Sequence, residues 1–446
     1  MIHLFTDGQT LDVQGDRLPL SLPNILRTER GPREHLSIWC TDIDRAYMHI
    51  FGRAILPGFN ISAGITGLMA CHGNRIHIRD SSSHFDREDM NLDQIKTNIK
   101  RLGQELSSLG ASRLYGTGAS GAHDIWNKKF NGAGWYRTLE DNTQNLDFYR
   151  RSLYGGKSFH DRPGLFVAHG EIAPNFPIDL PLIRLPKGHR IFRIDQTSAY
   201  PSAMLGDFPG TWNHITHEFN LSEKFGIATV QIQVNIKGPR LIAQRVKSNG
   251  TVKTYWPDVG TVKGTYTNTV LREAVKHGAK IEKIFEAQTF LLKYYPLRSF
   301  AKTVFDKQER IQSKSVQKSI KSLSRKLYGK FSQGRFRTKV IELEKYLNEM
   351  DGLSFPRTVQ PVWGSIIADR VLVTLSRVET ELKKSGAILL YRDTDSVIFS
   401  CQHENGKPKL NPELKKRFFD GLGGWKVDYS GGKWALFICP KTYALE

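Results

Sequence analysis

The chain has 446 residues, with 64 Lys and Arg against 44 Asp and Glu, and its formal net charge is +20. Hydrophobic residues at 39% exclude a disordered chain, and no apolar run approaches the roughly 20 residues of a membrane span. The charge indicates a polyanionic partner. Four scattered cysteines without a C-x-x-C pair, and an N-terminus unlike a signal peptide, favour a cytoplasmic protein without disulfides or structural zinc.

The first 150 residues predict a mixed α/β domain. Short apolar runs at Leu36–Cys40 and Arg75–Ile78 are typical of strands, and Leu92–Leu109 has helical spacing. A turn-rich segment around Leu153–Gly156 then suits a domain junction.

The rest of the chain groups strands with helices. A strand-like run ends at Asp195, and a polar turn leads to Pro201, which suits the start of a helix. Further alternating or helical stretches are Ile227–Val234, Thr269–His277, Ile366–Lys384, Ala387–Tyr391 and Val397–Ser400. Without a regular βαβ alternation, this order predicts an α+β fold.

The most basic segment runs from Arg298 to Lys339, with 13 basic residues against two acids. Gly and Pro are absent between Leu297 and Tyr328, which predicts one long helix. At about 100° per residue, one stripe of it is cationic and its neighbour apolar. The cationic stripe is Arg310, Lys314, Lys318, Lys321 and Arg325, and the apolar stripe is Val316, Ile320, Leu323 and Leu327. Like charges so spaced repel, so the stripe predicts a triphosphate or nucleic-acid ligand, with a solvated surface as the alternative.

A second acidic motif lies between two apolar runs, in the sequence Tyr-Arg-Asp-Thr-Asp-Ser that contains Asp393 and Asp395. The pattern predicts a β-hairpin with both acids at its tip. Because residues i and i+2 of a strand share a face, we expect the two carboxylates side by side, where a divalent cation would relieve their repulsion. If the Asp195 strand pairs with this hairpin, three carboxylates can hold two Mg²⁺ ions about 4 Å apart for phosphoryl transfer. The alternative is an ordinary turn.

Taken together in this order, the Asp195 segment, the basic helix ending KSLSRKLYGKF, the acidic hairpin and Lys441-Thr442-Tyr443 resemble family B DNA polymerases, closest to the protein-primed branch of small phages and linear plasmids. The resemblance covers about residues 150–446. It implies a right-hand polymerase of α+β class, with palm at 156–290 and 336–446 and fingers at 291–335. Residues 1–155 weakly resemble a reduced exonuclease domain. The chain stops three residues after Tyr443, so we expect the thumb to be short or absent.

The resemblance and the cationic stripe imply roles for individual residues. The catalytic acids, which would hold two Mg²⁺ ions or alternatively Mn²⁺, are Asp195, Asp393 and Asp395. The dNTP-binding residues would be Tyr200, Arg310, Lys314, Lys321, Arg325 and Tyr328. The DNA-binding residues would be Gly155, Gly156, Ser198, Gly329, Arg370, Lys441 and Tyr443. Tyr200 resembles the tyrosine that excludes a 2′-OH. Independently, Lys441 and Tyr443 on one strand face would suit a phosphate and a sugar contact.

The predicted activity is DNA-templated DNA synthesis from dNTPs at a primer 3′-OH, replicating a phage or plasmid genome. Two departures from the family motifs, Arg325-Lys326 in place of Asn-Ser and Leu153 in place of a tyrosine, leave alternatives open. These are a catalytically silent nucleic-acid-binding homologue and a primase or protein-primed initiating polymerase. Partners would be template–primer DNA, dNTPs and a terminal protein or other replication proteins. Pro239–Phe300 and Gly334–Leu353 lie where the branch carries its two insertions.

Proofreading is expected to be absent. A 3′–5′ exonuclease needs a D-x-E on a strand plus two further acids for its metals. Asp42 and Asp44 form a D-x-D, whereas Asp86 and Glu88 lie in a polar run. Solvated surface carboxylates are therefore the stronger interpretation of these four residues.

Overall fold

The computed structural model divides into two compact units, Met1–Tyr136 with Lys302–Val359, and Arg137–Ala301 with Gln360–Glu446. It describes residues 2–6, 10–13, 16–19, 36–40, 60–64, 67–72, 74–80, 85, 91–115, 117–132, 148–154, 158–160, 163–174, 180–210, 215–235, 240–248, 251–332, 339–340, 360–439 and 441–446. Within these residues no helix is both long enough and apolar enough to cross a membrane. The boundaries predicted above for palm and fingers stay predictions.

The first unit contains an eight-stranded mixed sheet. Its strands are β1 (Ile2–Thr6), β2 (Thr10–Val13), β3 (Asp16–Pro19), β4 (Leu36–Cys40), β5 (Asn60–Gly64), β6 (Gly67–His72), β7 (Asn74–Asp80) and β20 (Lys339–Val340). They follow the order β20-β5-β6-β7-β4-β1-β2-β3, in which β4 runs parallel to β1 and β7. The two predicted strands in this region are confirmed, and Ile38 and Trp39 of β4 are fully buried.

The helices of the first unit follow their local sequence signals. They are α1 (Leu92–Ser108), α2 (Gly118–Lys129), most of α5 (Arg298–Glu309), α6 (Lys314–Lys321) and α7 (Leu323–Phe331). A capping box starts α1, because the Asn91 side chain accepts from the Gln94 N–H at 2.9 Å and the Gln94 side chain accepts from the Asn91 N–H at 3.0 Å. α2 packs on α7, with the Trp126 ring edge-on to Phe331 at 5.3 Å.

The prediction of one long basic helix is wrong. The chain turns at residues 310–313, between α5 and α6, and again at Ser322. If the helix were continuous, the buried residues from Leu297 to Ile311 and those from Val316 to Phe331 would face directions roughly 130° apart around its axis. One straight helix could therefore not bury both sets on the same side. Arg310 therefore lies in a turn and not on the helical stripe. Val316, Ile320, Leu323 and Leu327 are buried, as predicted.

The second unit is built around a sheet whose strands pair antiparallel. These strands are β8 (Ser158–His160), β11 (His189–Gln196), β21 (Ile388–Asp393), β22 (Ser396–Glu404), β23 (Lys407–Pro408) and β24 (Trp425–Gly432). Their order is β24-β11-β22-β21-β8, with β23 paired to β22. One face packs against α8 (Pro361–Lys384), where Phe192 and Phe399 of the sheet meet Val378 and Leu382 of the helix. The central position of β11 fixes the place where this strand ends.

Two smaller sheets and two strand pairs complete the second unit. One sheet contains β9 (Gly164–Val167), β10 (Leu182–Arg184), β25 (Trp434–Cys439) and β26 (Thr442–Leu445), and the other β13 (Ile215–Thr216), β14 (Phe225–Asn235), β17 (Val259–Thr267) and β18 (Lys280–Phe290). The pairs are β12 (Phe208–Pro209) with β19 (Lys293–Tyr294), and β15 (Gln244–Ser248) with β16 (Thr251–Tyr255). The remaining helices described are α3 (Ala199–Met204), α4 (Asn268–Lys276) and α9 (Pro412–Lys415). The predicted α+β class is confirmed.

Candidate active site

Three carboxylates meet at one end of the sheet in the second unit. β11 pairs with β22 so that Asp195 lies opposite Ser396, and in β21 Asp393 lies opposite the same residue. The Gln196 N–H donates to the Asp395 carbonyl at 2.9 Å, which ties the end of β11 to the hairpin tip. The predicted hairpin, with acids at its tip and the Asp195 strand alongside, is confirmed.

The reason that Asp393 and Asp395 are neighbours differs from the predicted one. Only Asp393 belongs to a strand, because Thr394 and Asp395 form the turn between β21 and β22. Thr394 has a φ of 56°, in the left-handed region, and the Asp395 N–H donates to the Asp393 carbonyl at 2.6 Å. A tight turn, and not strand alternation, brings these two carboxylates together.

The electrostatics of the hairpin tip show that the three acids interact. The pKa of Asp395 is raised to about 6, chiefly by burial and next by the negative charges of Asp195 and Asp393. Arg193 acts in the opposite direction. Carboxylates that repel each other in a partly desolvated place are stabilised by a cation.

The donor set fits a divalent ion in its chemistry, since carboxylate oxygens are the ligands that Mg²⁺ prefers. Among the residues that the structure describes, no group of three or more Asp, Glu, His or Cys side chains is arranged to hold a metal ion. Asp393 Oδ1 lies 3.3 Å from Lys441 Nζ instead, so an ammonium group balances this carboxylate. The assignment of Asp195, Asp393 and Asp395 as metal ligands stays a prediction.

A buried ion pair supports the hairpin and was missed in the sequence. Arg392, directly before Asp393, places its Nε 2.5 Å from Glu379 Oε1 of α8, and both side chains are almost completely buried. The only sequence signal was an arginine inside an otherwise apolar strand and a glutamate on an apolar stretch of helix. Such a pair anchors the hairpin strand to the helix below it.

The segment after Asp195 is held by a loop from the far end of the chain. The Thr197 N–H donates to the Gly424 carbonyl at 2.8 Å, and the Gly423 N–H donates to the Thr197 carbonyl at 2.9 Å. Ser198 follows with a φ of 53°, and α3 begins at the next residue. Tyr200 therefore stands in the first turn of α3, half-exposed, on a backbone fixed at both ends.

Lys441 and Tyr443 do not share a strand face as predicted. Lys441 lies in the turn before β26, with a φ of 67°, and its N–H donates to the Tyr391 hydroxyl at 2.8 Å. Tyr443 is on β26 and packs its ring against Tyr391, with centroids 5.0 Å apart. The turn carries the Lys441 ammonium towards Asp393, which strand alternation would not have achieved.

Arg370 is engaged within the protein. From α8 its guanidinium donates to the Ala203 carbonyl at 3.0 Å, lies 3.3 Å from Asp207 Oδ1, and stacks 4.7 Å over the Phe208 ring. Burial lowers its pKa to about 10. These contacts fix the end of α3, and the role of Arg370 at template–primer DNA stays a prediction.

The other predicted site residues are distributed as follows. Lys314 and Lys321 are exposed on α6, and α7 carries Arg325, Tyr328 and Gly329, all in the first unit. Gly155, Gly156, Asp42, Asp44, Asp86 and Glu88 lie outside the described residues. Of the two segments aligned with insertions, the first contains β15 to β18, and the second is described only at β20.

Comparison with known proteins identifies relatives of this arrangement. The family described as "DNA polymerase type B, organellar and viral" matches residues 181–351. Phi29 DNA polymerase, in a ternary complex with primer–template DNA and incoming nucleotide substrates, is similar with a TM-score of 0.67 and 13% identity over 92% of this chain and 78% of that one. The orthorhombic crystal form of phi29 DNA polymerase has a TM-score of 0.64 and 14% identity, and the match again covers 92% of this chain and 78% of that one. No curated protein sequence matches. At such identities the phi29 structures show a shared fold.

Proposed function

We propose that the chain is a DNA-directed DNA polymerase of family B, on the basis of the family model over residues 181–351 and the fold shared with phi29 DNA polymerase. We further propose that it adds dNTPs to a primer 3′-OH by a two-metal reaction centred on Asp195, Asp393 and Asp395. The observation that carries this proposal is the end of β11 beside the hairpin tip, where the charges of two of the acids raise the pKa of the third. Crowded carboxylates at a sheet end are suited to hold cations and unsuited to bind a phosphate directly.

Each residue then has a defined task. Two divalent ions, Mg²⁺ or Mn²⁺, held by these acids would supply charge stabilisation to the attacking and leaving oxygens. Tyr200, on its fixed backbone, packs against the sugar and excludes a 2′-OH. Lys441 exchanges its contact with Asp393 for a primer phosphate, and Lys321 binds the triphosphate of the incoming nucleotide.

The test is extension of a primed oligonucleotide with dNTPs and Mg²⁺. Asp195→Ala and Asp395→Ala should each abolish incorporation, because the lost carboxylate removes several kcal/mol of transition-state stabilisation. Asp420→Ala, an exposed acid of the same unit, is the matched control and should extend normally. Activity retained in either active-site variant would refute the two-metal assignment.

We also propose that the polymerase has no proofreading activity. We propose further that it replicates a phage or plasmid genome in a host cytoplasm, with a terminal protein as a candidate primer. The absence of proofreading is supported by the D-x-D at Asp42 and Asp44, where an exonuclease would need a D-x-E. A 3′-labelled single strand incubated with protein and Mg²⁺ or Mn²⁺, without dNTPs, should remain full length. Shortening that survives Asp393→Ala but is lost in the Asp42→Ala/Asp44→Ala double variant would reveal a working exonuclease.

A further inference from the structure

A cavity of about 370 Å³ lies within the second unit, behind the helix that carries Tyr200. Three helices line it with residues at i, i+3, i+4 or i+7 spacing, as expected for single helix faces. α3 contributes small residues such as Ala199, Ser202 and Ala203, which leave the space open. Its size falls within the roughly 300–1,000 Å³ of ligand sites.

The lining of this cavity is strongly cationic. Its four basic residues are Lys224, Arg272, Arg370 and Arg377. Two carboxylates pair with three of them. Asp207 lies 2.7 Å from Lys224 Nζ and 3.3 Å from the Arg370 guanidinium, and Glu273 accepts from Arg377 at 2.8 Å. Four positive charges against two negative ones leave an excess of two.

Arg272 carries part of this excess. Its guanidinium donates to backbone carbonyls of the loop before β14, at 2.6 Å to Glu223 and 3.0 Å to Lys224. No carboxylate pairs with it among the described residues, and burial lowers its pKa. A half-buried cation whose hydrogen bonds are made only to carbonyls keeps its full charge, so an anion entering the cavity would be stabilised.

We propose that this cavity binds phosphate groups, and that they belong to a nucleic-acid backbone lying along α8. Arg370 and Arg377 are seven residues apart on this helix, about 10.5 Å along its axis. One strand of a duplex advances about 3.4 Å per phosphate, so the cationic face spans about three phosphates. The hydroxyls of Ser202 and Thr269 add uncharged donors of the kind that also contact phosphates.

The place of the cavity agrees with this ligand. Gln196, which lines it, directly follows Asp195 in the chain, and α3, which also lines it, begins three residues later at Ala199. A backbone held here would keep a nucleic-acid strand next to the proposed reaction centre. The inference therefore rests on the proposed function and adds a positioning site for the DNA.

The experiment neutralises two half-exposed cations of the cavity one at a time, in Lys224→Gln and Arg377→Gln. Template–primer binding is measured by fluorescence anisotropy across a salt series, in EDTA and without nucleotides. Each contact with a phosphate contributes about 0.9 to the slope of log affinity against log salt, so each variant should reduce the magnitude of the slope by about one. Arg377→Lys should retain the slope.

Control variants remove cations of similar exposure from ion pairs elsewhere in the second unit. Arg151 pairs with Glu286 at 2.8 Å and its side chain is 51% exposed, against 52% for Arg377. Lys416 pairs with Glu413 at 2.6 Å and corresponds to Lys224. Arg151→Gln and Lys416→Gln should leave the slope unchanged, and thermal unfolding verifies that all variants are folded.

A second experiment distinguishes a DNA backbone from a free polyphosphate as the ligand of the cavity. The affinity for tripolyphosphate, measured by calorimetric titration, should be unchanged in the cavity variants if the ligand is a DNA backbone. A loss of tripolyphosphate affinity with an intact DNA slope would overturn the backbone assignment in favour of a free polyphosphate, and no change in either would overturn the phosphate site itself. Neither experiment needs catalysis, so a failure of primer extension would refute the proposed function alone.

Discussion

Individual carboxyl groups of the second unit differ in their ionisation because their surroundings differ. The pKa of Asp395 is raised to about 6 by burial and by two neighbouring acids, whereas the pKa of Asp369 is about 7, where burial is the cause that raises it. The Thr267 hydroxyl donates to Asp369 Oδ2 at 2.6 Å and partly opposes that rise. One acid faces other charges at the hairpin tip, and the other is a neutral core carboxyl at moderately low pH.

Asp369 should make stability depend on pH. Its folded pKa lies above the unfolded value of about 3.9, so the folded state binds more protons between about pH 4 and 7. The free energy of unfolding should therefore fall as pH rises through this window, by up to about 1.4 kcal/mol per pH unit from this group. Urea unfolding at several pH values measures it. Asp369→Asn should flatten the profile, and an identical slope in this variant would contradict the prediction.

Tyr200 should control the choice of sugar. The Thr197 contacts to the 423–424 loop hold the backbone at the start of α3, which carries the Tyr200 ring. In Tyr200→Val we expect the ratio of rNTP to dNTP incorporation to rise about tenfold or more, which corresponds to about 1.4 kcal/mol of discrimination. Tyr200→Phe, which keeps the ring, is the control. An unchanged ratio in the valine variant would assign the selection elsewhere.

At the scale of elements, the helices and strands that local pattern predicted are present in the structure, but the predicted basic helix is broken. Neither Gly nor Pro marks the turn at residues 310–313. The signal was present in the phase of the apolar residues, since those of α5 and those of α6 and α7 fall on different sides of one continuous helix. Counting cations and helix-breaking residues does not reveal this difference, because which residues are buried depends on the face of the helix on which they lie.

Removing one partner of the buried pair between Arg392 of β21 and Glu379 of α8 should strongly destabilise the fold. Removing one partner leaves an uncompensated buried charge, so Glu379→Ala should lower the free energy of unfolding by about 3–5 kcal/mol. Replacing both, in Arg392→Met/Glu379→Leu, should cost much less than the single change. Chemical denaturation of the single and double variants forms a double-mutant cycle.

The control for this pair is an exposed one, Lys416 with Glu413, whose side chains are 70% and 68% exposed. Glu413→Ala should change stability by no more than about 1 kcal/mol. If Glu379→Ala behaved like Glu413→Ala, the buried pair would not anchor the hairpin.

For the whole molecule, the charge of +20 predicts DNA binding governed by counterion release. Log affinity for template–primer should fall linearly with log salt, with a slope of about −5 or steeper if six or more phosphates are contacted. Lys321→Ala should instead raise the KM for dNTP several-fold and leave this slope nearly unchanged. A shallow slope in the wild-type protein would mean that most of the positive charge does not meet DNA, and a reduced slope in Lys321→Ala would place this residue on the DNA.

The sequence by itself determined several of the elements, and it determined that the three acids lie at the end of one strand and at the tip of one hairpin. A strand ending at Asp195 and a hairpin turning at Asp395 follow from apolar alternation and turn residues, which report the local backbone. Only the tertiary structure decided which distant residues meet: Arg392 with Glu379, Lys441 with Asp393, and four cations from three parts of the chain around one cavity. Periodicity carries no information on the distance between elements or on burial, and those two quantities set how strongly charges interact.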